Sequence, residues 1–135
     1  MTFVSRQAVR FAHVDAAGIV FYPRYFEMLN AAIEDFFADE IGVDFATMHL
    51  SRGLGVPTVK LESEFAAPSR LGDPLDFRLD VVRVGSSSAE LSVEVRCRAE
   101  LRLRVRVVLV CMVLATGSPC GWPDDLRPRP AAAFT

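Results

Sequence analysis

The sequence predicts an α+β domain in which one long amphipathic helix packs against an antiparallel sheet with a single apolar face. Two patterns carry this expectation. Between Pro23 and about Ile41 the apolar residues fall three and four apart, as a helix with one buried stripe requires. Elsewhere, runs such as Thr58–Phe65 and Leu91–Val107 alternate apolar with charged or polar residues, the period of a strand with one wet face. A striped helix and a one-faced sheet remove each other's apolar surface from water by packing together. At 135 residues the chain is sized for one domain with its own core.

The first strand is read over residues 3–11, "FVSRQAVRF", and residues 12–21 form a loop. Pro23 suits the first helical position, where a missing N–H is no loss, and it biases Tyr22 toward an extended backbone. In the helix, Phe26, Leu29, Ile33, Phe36 and Phe37 make the stripe, with Glu27, Asn30, Glu34 and Asp35 largely between them. Its length is roughly 28 Å at 1.5 Å per residue, and Gly42 stops it. Residues 44–51 are an irregular or helical piece. "TVKLESEF" is then a strand, "PSRLGDP" a turn and "LDFRLDVVRV" the next strand, punctuated by "GSSS". The alternation from Leu91 to Val107 is too long for one strand, so a hairpin turn belongs near Arg98–Leu101, although no Gly, Pro, Asn or Asp marks it. The ordered part ends at "TGSPCGWPDD", with a loose Ala/Pro-rich tail from about residue 124. The whole of 1–135 is thus a single domain.

Composition excludes several function classes. A net charge of −2 argues against nucleic-acid binding through bulk electrostatics. Three cysteines without a CxxC spacing and two histidines offer neither a disulfide framework nor a zinc ligand set, so no metal is expected. The longest apolar run, Val107–Ala115, is nine residues, well short of a bilayer span, and no signal peptide is visible. A cytoplasmic protein without membrane attachment is expected. The apolar content, just over half, is high enough that another subunit is expected to cover part of the surface.

Few residues invite chemistry. Arg96, Arg98, Arg102, Arg104 and Arg106 fit the solvent face of two strands, with Glu94 and Glu100 interspersed, and need no nucleic acid. Cys97 and Cys111 fit core positions. "GLGVP" lacks the length and the lysine of a phosphate loop. His13 could pair with Asp15 or shuttle a proton, but a structural role is the simpler reading. Asp15 has two readings that remain open at this level. It could close a turn, as loop aspartates do. Alternatively, it stands beside the start of a buried helix, whose unpaired amides and partial positive charge could hold an oxyanion while the acid attacks or activates water. Gly18 permits close backbone approach there.

The segment D-A-A-G-I-V-F-Y-P-R-Y-F, residues 15–26, followed by the helix and four strands, closely resembles the 4-hydroxybenzoyl-CoA thioesterase family of hot-dog-fold proteins. The resemblance covers about 120 residues and is strongest over 3–41. Its Tyr22–Pro23 pair resembles the branch that contains the 4-hydroxybenzoyl-CoA enzyme itself. It implies a five-stranded antiparallel sheet wrapped around one long helix, in a homodimer that pairs edge to edge and assembles into a dimer of dimers. It also implies an acyl-CoA substrate, hydrolysed to free acid and CoA with no separate cofactor. Asp15 matches the catalytic carboxylate, as nucleophile or general base. The backbone N–H of Tyr22 matches the donor that polarises the thioester carbonyl. Gly18, Ile19, Val20, Phe21 and Tyr25 match the pocket-shaping segment, and "VPTV", with Pro57 and Thr58, matches the strand start that lines the acyl pocket from a neighbouring subunit.

Two features depart from the family pattern. The turn that usually offers cations to the CoA phosphates is "RVGSSSAE", so that grip would fall to Arg83 with Arg127. The hairpin near Arg98–Leu101 also lacks the family's glycine. Two other function classes compete with hydrolysis. A hot-dog dehydratase or hydratase would carry a histidine on the central helix, and this helix has none. A non-catalytic acyl-thioester-binding module would carry Asp15 as a relic.

Overall fold

One face of the long helix has to be hidden from water, and the sheet hides it. In the computed structural model, which describes residues 2–130, the helix α1 (Tyr22–Phe36) buries Tyr25, Met28, Leu29, Ala32, Ile33 and Phe36. These positions advance by three and four, so the stripe is continuous. At its start it differs from expectation: Tyr25 takes the core position and Phe26 is only half-buried. The helix begins at Tyr22, which puts Pro23 second rather than first. Beyond Phe36 the chain winds on to Ile41 in one wider turn, closed by Gly42 N–H donating to the Phe37 carbonyl at 2.8 Å. Gly42 adopts φ +94°, which ends the helix where the sequence marked it.

The strands are β1 (Phe3–Ala8), β2 (Leu54–Gly55), β3 (Thr58–Phe65), β4 (Pro74–Val84), β5 (Ser88–Cys97), β6 (Glu100–Val110), β7 (Met112–Val113) and β8 (Ser118–Pro119). Five of them form an antiparallel sheet in the order β1–β4–β5–β6–β3, while β2, β7 and β8 form a small second sheet. β1 is shorter than the alternation suggested, because the chain turns at Phe11–His13. Within "GLGVP", a Cβ on Gly55 would sit 2.8 Å from the Leu114 side chain, so this glycine serves packing.

The turn between β5 and β6 is two residues long, Arg98 and Ala99, both left-handed at φ +48° and +75°. That backbone favours Asn-Gly, which explains why the composition concealed the turn. A two-residue turn also sets odd positions against even ones: Cys97 faces Glu100 and Arg96 faces Leu101. Continued along the hairpin, that register would oppose apolar to charged side chains. The ladder slips by one residue at Arg102, and from there Val95 faces Leu103, Val93 faces Val105 and Leu91 faces Val107, all buried. The bulge restores the apolar face and leaves Arg102 as the extra residue.

Arg102 then organises the segment between β3 and β4. Its carbonyl accepts from Ala66 N–H at 2.9 Å, and its Nη1 donates to the Asp73 carboxylate at 2.7 Å and the Pro68 carbonyl at 3.0 Å. Its Nε lies 2.6 Å from Glu100 Oε1, an ion pair too misaligned to count as an N–H donation. The other arginines of β5 and β6 are paired across the outer face: Arg106 with Glu90 at 2.8 Å, and Arg96 and Arg104 with Glu94 at 3.2 and 3.5 Å. Those two guanidiniums hold the Glu94 carboxyl below its ordinary range.

Two boundaries complete the frame. β3 is an outer strand of the sheet, and Val59, Leu61 and Phe65 on it are exposed. The chain is also packed further than the loose tail expected from about 124. Leu126 is fully buried, Trp122 Nε1 donates to the Ser88 carbonyl at 3.1 Å, and Arg52 pairs with Asp125 at 2.6 Å. Trp122 and Leu126 hold this stretch down by burying apolar surface that a composition reading missed. The Ala/Pro-rich end, 131–135, lies outside the described residues. Among the described residues no helix is long and apolar enough to cross a membrane, and no three potential ligand side chains cluster as a metal site.

Ala99→Gly removes left-handed strain worth roughly 1 kcal/mol, part of which is offset by the freer unfolded chain. A rise of a few degrees in thermal midpoint is expected by calorimetry; an unchanged or lower midpoint would contradict the strained turn. Asp73 gives a pH test. The Arg70 backbone N–H, then Arg102, hold its carboxyl below the ordinary carboxylate range. A depressed folded value means the stabilisation is present above the unfolded value of about 3.9 and is lost as pH falls through the folded one. Asp73→Asn is therefore expected to flatten the fall in thermal midpoint below about pH 4, whereas parallel curves for parent and variant would remove this carboxylate from the acid response.

Candidate active site

The loop before α1 is a small hairpin. His13–Asp15 runs antiparallel to Ile19–Phe21, with Asp15 N–H donating to the Ile19 carbonyl at 3.0 Å, Phe21 N–H to the His13 carbonyl at 2.9 Å, and Val14 bridging Val20. Gly18 at φ +78° makes the tip possible, a conformation that side-chain-bearing residues rarely adopt. Val20 is buried and Val14 half-buried, so the alternating residues Asp15 and Phe21 face outward. The turn-closing reading of Asp15 is the one the hydrogen bonds display directly. Its Oδ1 accepts from Ala17 N–H at 2.8 Å and closes the turn. Its Oδ2 accepts from no donor among the described residues and faces the open side.

Four residues after Gly18 the return strand becomes α1. Phe21 occupies the cap position, and its side chain cannot hydrogen-bond to the amides behind it. Arg24 N–H is spent on the Phe21 carbonyl at 2.8 Å, and Pro23 has no N–H. Tyr22 N–H finds no acceptor among the described residues, which leaves one free donor at the positive end of the helix. His13 is committed elsewhere: its Nδ1 accepts from Arg10 N–H at 2.9 Å, so it does not pair with Asp15.

An aromatic wall stands beside that donor. The Phe65 ring lies 6.3 Å from Tyr22, 6.0 Å from Tyr25 and 6.4 Å from Phe26, and Phe21 meets Tyr22 edge-on at 5.6 Å. Phe21, Tyr22 and Phe65 are exposed, whereas Tyr25 is buried with its hydroxyl on Ser69 Oγ at 2.8 Å. Tyr25 thus stands behind the exposed rings rather than among them.

The structure gathers Asp15, Gly18, Ile19, Val20, Phe21, Tyr22 and Tyr25 at one end of the molecule. It does not bring the remaining sequence candidates there within a single chain. Pro57 and Thr58 begin β3 while Phe65 ends it, and Thr58 borders a hollow of about 350 Å³ with Asn30, Ala31 and Leu109. Arg83 lies two residues before Gly85, whose carbonyl Arg127 Nη1 reaches at 3.5 Å. That is the far end of β4 from Asp73 and the hairpin, roughly 30 Å away at 3.3 Å per residue. The cation that stands beside the hairpin is Arg70, which bridges Ile19 through its backbone and has an exposed side chain. Sequence reasoning passed over Arg70 and Ser69 because "PSRLGDP" reads as a turn, and no local pattern reveals that a turn fifty residues on docks against residues 19 and 20.

Comparison with known proteins bears on the fold and the family. The chain is 32% identical over 87 residues to a 1,4-dihydroxy-2-naphthoyl-CoA hydrolase of Thermosynechococcus vestitus, covering 64% of this chain and 59% of the relative. This chain therefore spans less than two thirds of the length of that relative. Among solved structures, a 1,4-dihydroxy-2-naphthoyl-CoA thioesterase from Synechocystis superposes with a TM-score of 0.82 at 23% identity, over 93% of this chain and 92% of the other. A gentisyl-coenzyme A thioesterase gives 0.83 at 24% identity, over 91% and 98%. These two likenesses establish the hot-dog fold. The model of the Thioesterase-like superfamily matches residues 9–129, a span that holds the hairpin, the helix and all of the main sheet except β1, and this chain belongs to that superfamily.

Proposed function

We propose that this protein is a hydrolase of acyl-CoA thioesters that releases a free acid and coenzyme A. The observation that carries the reading is the pairing of opposite tools on one short hairpin. A carboxylate is held by one oxygen and free at the other, and the strand that returns from it ends at the lone unpaired amide of the helix mouth. A thioester carbonyl placed on Tyr22 N–H would be polarised by that amide and the helix dipole. Asp15 would then attack its carbon to give a mixed anhydride and expel the CoA thiolate, or take a proton from an attacking water.

An aryl acyl group is favoured by the Phe21–Tyr22–Phe65 wall and by the 1,4-dihydroxy-2-naphthoyl-CoA for which the curated relatives are named. The Tyr22–Pro23 pair favours the 4-hydroxybenzoyl-CoA branch within the superfamily. A homodimer or dimer of dimers is favoured by the bare edge of β3. A symmetric antiparallel pair of β3 strands centred between Leu61 and Glu62 would set Thr58 of one copy opposite Phe65 of the other, and so bring Pro57 and Thr58 to the site. Arg70 beside the hairpin, in place of Arg83 with Arg127, suits the CoA phosphates within one chain. The reading is of a cytoplasmic enzyme that needs no cofactor beyond the CoA of its substrate.

Asp15→Asn keeps the turn-closing oxygen and removes the charge. A loss of about a hundredfold or more in kcat is expected on aryl-CoA thioesters, followed by thiol release, with the thermal midpoint unchanged; turnover near the parent rate would end the mechanism. Light scattering is expected to give the mass of two or four chains, and an active monomer would refute the shared pocket.

A further inference from the structure

Ser69 is fully buried although it lies in the connection between β3 and β4, and both its backbone and its side chain reach the site. Its carbonyl accepts from Val20 N–H at 2.8 Å, on the return strand of the Asp15 hairpin. Next to it, Arg70 bridges Ile19. Its hydroxyl accepts from Tyr25 Oη at 2.8 Å and from Arg102 Nη1 at 3.2 Å. Tyr25 is one helical turn beyond Tyr22 on the same face, so holding its ring fixes the rotation of the first turn. One serine therefore ties the return strand that pairs with the Asp15 strand to the turn that carries the Tyr22 amide, and the Arg102–Asp73 pair at 2.7 Å holds the serine's own segment.

We propose that Ser69 is a positioning residue for thioester hydrolysis, acting with Tyr25 and Arg102 to set the separation between the Asp15 carboxylate and the Tyr22 amide. This rests on the hydrolase reading above. Catalysis by a carboxylate and an amide on opposite sides of one carbonyl depends steeply on their spacing, because the attacking oxygen and the oxyanion donor must both reach their targets in the transition state. Binding of the CoA portion does not depend on that spacing. Loss of the clamp is therefore a defect in kcat with little change in KM, whereas a hydrogen bond that serves only stability lowers the thermal midpoint and leaves the folded enzyme's kcat intact.

The test uses the full chain with benzoyl-CoA and 1,4-dihydroxy-2-naphthoyl-CoA, taking whichever the parent hydrolyses faster. Ser69→Ala, Tyr25→Phe, the double variant and Asp15→Asn are measured together. Ser69→Ala and Tyr25→Phe are each expected to lower kcat about tenfold with KM within about twofold of the parent. The double variant is expected to be no slower than Ser69→Ala, since both changes break one hydrogen bond. Tyr25→Phe removes a single oxygen, so it reports on folded enzyme even if Ser69→Ala does not fold. Parental kcat in folded Tyr25→Phe, or losses that multiply in the double variant, would overturn the assignment while a slow Asp15→Asn left the hydrolase reading standing. A parent-like Asp15→Asn would overturn both.

Discussion

A sheet that must keep one face apolar cannot absorb a two-residue hairpin in this sequence without shifting its register, and the shift at Arg102 is the constraint on which the rest of the molecule depends. Had β5 and β6 continued in the register of their turn, Val93 and Val95 would oppose charged residues and α1 would have no surface to cover. The extra residue is an arginine, and its length is used. It reaches the connection between β3 and β4, pairs with Asp73 and donates to the Ser69 hydroxyl. A device that preserves the core thereby also determines where the hairpin and the helix mouth stand. Packing and chemistry share one residue.

The single chain presents this site half open. Asp15, Phe21, Tyr22 and Phe65 face outward, and the eight residues of β3 offer an outer strand with exposed apolar side chains. Exposed strands of that kind invite pairing with another chain. Composition pointed the same way, because the apolar fraction exceeds what one small core needs. The proposed pairing of two β3 strands would address the openness at this end and the bare strand together.

The architecture was legible from the sequence because it rests on two periodicities that survive without knowledge of contacts. The helix stripe and the strand alternation located α1 and the long strands to within a few residues, and Gly42 marked the stop. What was hidden depends on long-range pairing or on residues that violate local preference. Arg98 and Ala99 adopt left-handed backbone that their side chains disfavour, so the tightest turn left no compositional trace. Ser69 and Arg70 sit in an ordinary turn motif and matter only because that turn docks on residues 19 and 20. Leu126 looked like tail and is core. The hairpin of Asp15 was legible as a motif, while its double duty as turn-closer and open acceptor became visible only from hydrogen-bond geometry.

Pro23 has a consequence for selectivity. By deleting the second amide of α1, it would leave a carbonyl docked as proposed with one directional contact from the helix mouth, about which the rest of that molecule could swivel. Two convergent donors would dictate an angle; one dictates only a point. On the proposed hydrolase reading the angle would then come from the shape of the surrounding rings, Phe21 and Phe65 among them, and discrimination among acyl groups would be steric.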